Sequence, residues 1–282
     1  MTGNYKFDQL VQEPIFIIGA ARSGTTWVLD ILTAHPEVTG IHESWLFTQN
    51  NGLFALFTSA HWPPKRSGLG RLLGREELIK YTRNLATQIM SHAIKPGHRY
   101  LVEKSPHHLF VIPFINEIFP EAKFIHVLRD GRDVSVSVRA ASKSWEPDWR
   151  KTFGRSIKSA ARAWKHAVKS SRKSGENLNN RFLEIRYEEI YKDPFDTYRR
   201  LFDFCEIPYD DGILQSAFNA TDFSKNYKPN EIGFRRKGKV GDWRTHFNLI
   251  DALIFNLEAG KMLIELGYEK NRRWFPYWFN RQ

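Results

Sequence analysis

Cysteine is nearly missing from this sequence: the lone Cys205 excludes an intrachain disulfide. It lies in the apolar run Leu201, Phe202 and Phe204, where it reads as a buried thiol rather than a nucleophile. A chain without disulfides agrees with a reducing compartment. Long apolar runs are missing too. No stretch approaches the roughly 18 uninterrupted apolar residues of a membrane helix, and no basic segment followed by an apolar one stands at the N-terminus. The expectation is therefore a cytoplasmic protein with no integral membrane segment. Internal repeats, low-complexity tracts and clusters of metal ligands are also lacking, so no metal site is expected.

What the sequence does hold is core material and positive charge. Hydrophobic residues make up 41% of the 282 residues and aromatics 14%, with 9 Trp and 21 Phe, which excludes a disordered chain. We expect one domain, residues 1–282. The formal charge of +11 favours an anionic partner such as a nucleotide, an acidic acceptor, nucleic acid or an anionic membrane surface, without choosing among them.

The order of elements points to an α/β fold. Pro14 to Gly19 is a short β-branched and aromatic run ended by glycine, followed by a loop of small residues and a helical apolar spacing from Trp27 to Ala34 that His35-Pro36 stops. The same grammar recurs at Ala122 to Leu128, which leads through Arg129-Asp130-Gly131 into a helix from Asp133 to about Ser142. Val38 to Ile41, Arg99 to Val102 and Phe182 to Ile185 are further strands. Strands alternating with helices predict a central parallel β-sheet flanked by helices. Asn50 to Gly74 is a long excursion with few periodic apolar positions, a candidate lid, and Thr152 to Lys173 is a basic amphipathic helix whose cations read as a solvated face.

The first chemical motif is also defined by a lack. Gly19-Ala20-Ala21-Arg22-Ser23-Gly24-Thr25-Thr26 matches the nucleotide phosphate loop G-x-x-x-x-G-K-[ST] except that threonine replaces the lysine. Without that lysine, triphosphate chemistry loses its main cation. The backbone amides of Ser23 to Thr26 at a helix start still suit one compact anion, and Arg22 adds a cation. A fold akin to that of the P-loop nucleotide kinases follows.

The run PIFIIGAARSGTTWVLDILTAHPEV resembles the 5′-phosphosulfate-binding loop of the sulfotransferases, enzymes that use 3′-phosphoadenosine-5′-phosphosulfate (PAPS) and release the bisphosphate PAP. Val127 to Ser137 resembles that family's 3′-phosphate-binding block, which implies that Arg129 and Ser137 hold the phosphate. Phe234 to Arg244 is similar to the R-K-G-x-x-G-D-W segment of the cytosolic branch, which adds Arg236, Lys237 and Gly238 to the cofactor site. Trp27 matches a position that stacks on adenine, with a core tryptophan as the competing reading. Tyr187 matches a nucleotide-contacting tyrosine, against simple aromatic packing. Physically, a nucleotide with phosphate at two ends needs two separated cationic nests, one at each phosphate.

The resemblance implies sulfuryl transfer from PAPS, without a metal, to an unidentified hydroxyl or amine acceptor, be it carbohydrate, lipid or small molecule. For the base that takes the acceptor proton, two family patterns compete. Glu43 stands at the end of a predicted strand, at the spacing from Arg22 that the tyrosylprotein sulfotransferases use, and is favoured. The cytosolic pattern, a histidine after a Lys-Thr pair, points instead to His107 or His108 in Lys104-Ser105-Pro106-His107-His108; either histidine could simply cap a helix starting at Pro106. Lys104 is placed to meet the bridging oxygen, or is a strand-end surface lysine. Trp45, Phe47, Trp62, Trp145 and Trp149 are candidates for an acceptor pocket. A small-molecule kinase is the rival enzyme, against which the missing loop lysine counts. A nucleic-acid binder is the rival binding module, resting on the charge and on the aromatic basic run Asn271 to Phe279.

Overall fold

A computed structural model describes residues 6–50, 52–60, 68–142, 156–222 and 238–275. The expected strands are all present: β1 (Ile15–Gly19), β2 (Val38–His42), β3 (Tyr100–Lys104), β4 (Lys123–Leu128) and β5 (Phe182–Arg186). They pair in parallel in the order β2-β3-β1-β4-β5. β1, β3 and almost all of β4 are buried, which explains their near-continuous apolar sequences. The chain leaves β1 in one direction to build β2 and β3, then crosses to the other side of β1 for β4. The loop after β1 therefore lies where the strand order reverses, the crevice in which open α/β sheets take ligands.

Helices cover both faces. One layer packs α1 (Thr25–Thr33), α7 (Tyr187–Lys192), α8 (Pro194–Cys205) and α9 (Asp211–Thr221) around Ile15, Ile17, Val102, Ile125 and Ile185. The other packs α3 (Arg75–Ser91), α4 (Ile112–Ile118), α5 (Gly131–Ala141), α6 (Ile157–Gly175) and α10 (Leu249–Glu265) around Phe16, Phe124, Trp164 and Phe255. Cys205 is fully buried and its thiol is pushed up to about 12 by that burial.

Helix boundaries move from the expectation for identifiable reasons. α1 starts at Thr25 because Gly24 caps it in the left-handed conformation (φ 104°). α5 starts at Gly131 because the Asp130 side chain accepts from the Arg132 amide. α6 starts at Ile157, capped by Ser156; Thr152 and Phe153 lie outside the described residues. The excursion at 50–74 contains α2 (Phe54–Ser59), and Phe57 is buried edge-on against Phe114 at 4.7 Å. α2 is thus anchored to the core through Phe57; residues 51 and 61–67 lie outside the described residues. Of the aromatic basic run, Trp274 is buried against Trp243 at 5.3 Å; residues 276–279 lie outside the described residues.

Candidate active site

The phosphate loop curls tightly because two glycines permit it. A Cβ on Gly19 would stand 2.6 Å from Ser23 Oγ and 2.8 Å from the Val127 carbonyl oxygen. A Cβ on Gly24 would stand 2.4 Å from the Tyr187 ring, in addition to the left-handed backbone strain. The Ser23 amide is spent within the loop, donating to the Ala20 carbonyl at 3.0 Å. The cradle is thus the amides of Gly24 to Thr26, which helix geometry leaves without partners one turn back. Ser23 Oγ is buried and finds no hydrogen-bond partner among the described residues, a group that an anion in the loop would satisfy.

Tyr187 supports this loop from below. Its ring meets Trp27 edge-on at 5.3 Å, lies 4.0 Å under the Arg129 guanidinium, and its hydroxyl donates to the Gly238 carbonyl at 2.7 Å. Burial pushes its phenol up to about 12, so it remains a donor. Trp27 is only 8% exposed and lies in the core layer around α1.

The two cationic nests inferred for the nucleotide ends are in direct contact here. Arg22, with its backbone in the left-handed region (φ 72°), donates from Nε to Ser137 Oγ at 3.3 Å. Arg129 donates to the Arg22 carbonyl at 3.4 Å and to the Lys239 carbonyl at 3.0 Å, while its Nε is buried without a partner among the described residues. The segment at 238–243 reaches this site through Asp133, whose carboxylate accepts from the Gly241 amide at 2.7 Å and the Trp243 amide at 2.8 Å. Arg236 and Lys237 lie outside the described residues.

At the other side of the loop, the register pairs His42 with Lys104 across β2 and β3. Lys104 is fully buried, donating to Glu43 Oε1 at 2.6 Å and contacting His42 Nε2 at 3.0 Å. It is no surface lysine. Burial lowers its ammonium pKa, and the Glu43 carboxylate opposes that shift. The Glu43 side chain is 26% exposed, so the carboxylate is reachable. Burial also lowers His42, followed by the Lys104 charge, so its ring stays neutral and accepts from the lysine.

The two histidines part company. His107 is half-buried beside Trp45 (5.8 Å), and burial lowers its pKa. It is the one polar side chain lining a narrow cavity of about 40 Å³ bounded by Gly19, Ala21, Phe110, Val138, Ala163 and Trp164. His108 is fully buried, with Nδ1 2.9 Å from Glu103 Oε2 and Nε2 3.2 Å from the Phe47 amide. Both its ring nitrogens are engaged. Of the aromatic residues expected around an acceptor, Phe47 is buried in the core against Phe16 and Phe119; Trp62, Trp145 and Trp149 lie outside the described residues.

Sequence reasoning passed over Glu103, Arg132, Asp133 and His42. Glu103 had a signal in principle: a charged residue inside an otherwise apolar strand. Among the described residues no group of His, Cys, Asp and Glu is placed to hold a metal ion, and no helix is long and apolar enough to cross a membrane.

A parallel sheet in this order, with a helix-capping phosphate loop at its switch point, defines a P-loop-type α/β protein. The chain belongs to the sulfotransferase family, whose model matches residues 14–211. It is 25% identical over 284 residues to the nodulation protein NoeE of Sinorhizobium fredii, covering 91% of this chain and 66% of that protein. It is 25% identical over 205 residues to the protein-tyrosine sulfotransferase of Drosophila melanogaster, covering 71% of this chain and 39% of that one. The chain thus spans less than two thirds of the length of these relatives. Among solved structures, mouse sulfotransferase SULT7A1 complexed with PAP superposes with a TM-score of 0.55 at 17% identity, covering 93% of this chain and 91% of that one. At that identity the likeness is one of fold.

Proposed function

We propose that this chain transfers a sulfuryl group from PAPS to a hydroxyl or amine acceptor, with Glu43 as general base. The observation that carries the reading is the Lys104–Glu43 contact at 2.6 Å beside a phosphate loop that has lost its kinase lysine. Family membership and the unpartnered Ser23 Oγ and Arg129 Nε support it.

In this reading the amides of Gly24 to Thr26 and the Ser23 hydroxyl hold the 5′ phosphosulfate. Arg129, Ser137 and the Gly238 backbone hold the 3′ phosphate, with Arg236 and Lys237 beside them, and Trp27 and Tyr187 stand at the adenine end. PAPS supplies an activated sulfuryl group on a good leaving phosphate. Glu43 accepts the acceptor's proton as its oxygen or nitrogen bonds to sulfur, and Lys104 meets the charge on the bridging oxygen as the sulfur–oxygen bond breaks. Lys104 already touches Glu43, so its ammonium has only to shift its contact from carboxylate to leaving oxygen. His107, neutral and open to the cavity, is the second candidate for the base. His108 is not, because its Nε2 lone pair is taken by a backbone amide. The apolar cavity beside Ala21 and His107 suits an acceptor with an apolar portion, and its identity calls for a radiolabelled PAPS assay over carbohydrate, phenolic, peptidyl and lipid acceptors.

Calorimetry tests the nucleotide half directly. A charge-assisted contact to the 3′ phosphate contributes about 1.5–3 kcal/mol, so PAP should bind at least about tenfold more tightly than AMP. Equal affinities would remove the assignment of Arg129 and Ser137.

A further inference from the structure

Glu103 has no role in the chemistry above, yet it is the centre of a buried polar cluster of Ser44, Ser105 and His108 beside the site. Its carboxylate is 1% exposed, inside β3 and directly before Lys104. We propose that Glu103 is a positioning residue that holds Glu43 in its working place by orienting every side-chain acceptor for the loop that follows β2. The proposal rests on the reading of Glu43 as the base.

The loop from Glu43 to Phe47 needs such support. Glu43 and Trp45 both have left-handed backbones (φ 51° and 57°), which L-residues hold only when their surroundings over-determine them. Five consecutive amides supply that determination. Glu43 donates to the Lys104 carbonyl at 2.7 Å. Ser44 donates to Glu103 Oε1 at 3.2 Å, Trp45 to Ser105 Oγ at 3.3 Å, Leu46 to Ser44 Oγ at 3.2 Å and Phe47 to His108 Nε2 at 3.2 Å.

Each side-chain acceptor in that series has its own proton directed at Glu103. Ser105 Oγ donates to Oε1 at 2.6 Å and Ser44 Oγ to the same oxygen at 2.8 Å. A backbone amide can only donate, so His108 Nε2 must carry a lone pair and its proton must sit on Nδ1, 2.9 Å from Glu103 Oε2. One carboxylate thereby turns three lone pairs toward the loop. Burial works against its charge, but the contacts with His108, Ser105 and Ser44 win and hold it below the usual carboxylate range. A neutral amide cannot replace it: Gln has one acceptor oxygen and would aim its NH₂ at a serine hydroxyl or at His108.

The test uses Glu103→Gln in the full chain, with the panel acceptor that gives the highest turnover. Turnover is expected to fall roughly 10- to 100-fold, the scale of a misplaced catalytic group, while PAP affinity by calorimetry stays at the wild-type value. In a double-variant cycle, Glu103→Gln should add nothing to Glu43→Gln, because there is no base left to position. Amides of residues 43–47 should exchange hydrogen faster in Glu103→Gln, with the β1–α1 segment unchanged. Ser105→Ala, which removes one relay, should give a smaller effect in the same direction if Glu103→Gln fails to fold. Additive losses in the cycle, or unchanged exchange at 43–47, would overturn the proposal. If Glu43→Gln alone retains full turnover, the base reading falls, and the exchange measurement still decides whether Glu103 clamps the loop.

Discussion

Glu43 and Lys104 illustrate how a contact at the residue level sets the chemistry. Lys104 is fully buried and held between the Glu43 carboxylate and the His42 imidazole, the placement on which its proposed role at the leaving oxygen rests. Glu43→Gln preserves size and hydrogen bonding but cannot take a proton. Turnover should fall roughly 10²- to 10⁴-fold, the usual cost of a lost general base, with PAP affinity nearly unchanged in calorimetry. Near-normal turnover in that variant, together with loss in His107→Ala, would transfer the role to His107.

Elements in this fold meet through backbone-scale fits, and the phosphate loop shows it. Gly24 terminates the loop, caps α1 and lies against Tyr187 from α7, so three elements depend on one missing side chain. Gly24→Ala would push Tyr187 away and force a left-handed alanine. The expected outcome is a roughly 5- to 150-fold loss of PAP affinity in a still-folded protein, from a strain on the order of 1–3 kcal/mol. Unchanged PAP binding in that variant would mean that the cradle is not where the anion sits. α5 plays a parallel part: Asp133 ties its first turn to Gly241 and Trp243, which carries the 238–243 segment to Arg129.

The whole molecule is closed by a buried cation. Arg132 is 1% exposed, bonded to Asp130 and Glu269, and lies over the Trp243 ring at 4.0 Å and the Trp274 ring at 4.6 Å, two indoles that meet edge-on. It joins α5, the segment after residue 238 and the C-terminal region. Arg132→Leu leaves two carboxylates uncompensated and should cost about 3–5 kcal/mol in urea unfolding; a loss under about 1 kcal/mol would show that the cluster is incidental. Acid stability has a separate source. Glu184 is held at about 2, below its ordinary 4.5: burial opposes its charge, but Arg172 and His126 outweigh it. A depressed carboxylate contributes stability above its unfolded pKa and loses it as pH falls through the folded one. The advantage of the wild type over Glu184→Gln should therefore be full at pH 6, an illustrative point above about 4.5, and vanish by about pH 2. An advantage independent of pH would contradict the assignment.

The features legible in the order of residues are local ones. The residues from Gly19 to Thr26 form the phosphate loop because a strand end, two glycines and a helix start are consecutive in the chain, and a backbone cradle needs nothing from afar. The parallel α/β class followed from the same local grammar. The partners of the site residues come from the packing of segments distant in the chain. Lys104 meets Glu43 and His42 because β3 is inserted between β1 and β2 with His42 opposite Lys104, an order and register that no local periodicity encodes. His108 and His107 are adjacent and chemically alike in the sequence. The Phe47 amide and Glu103 distinguish them by occupying both nitrogens of one, since a side chain's protonation state is set by donors that folding brings from other segments.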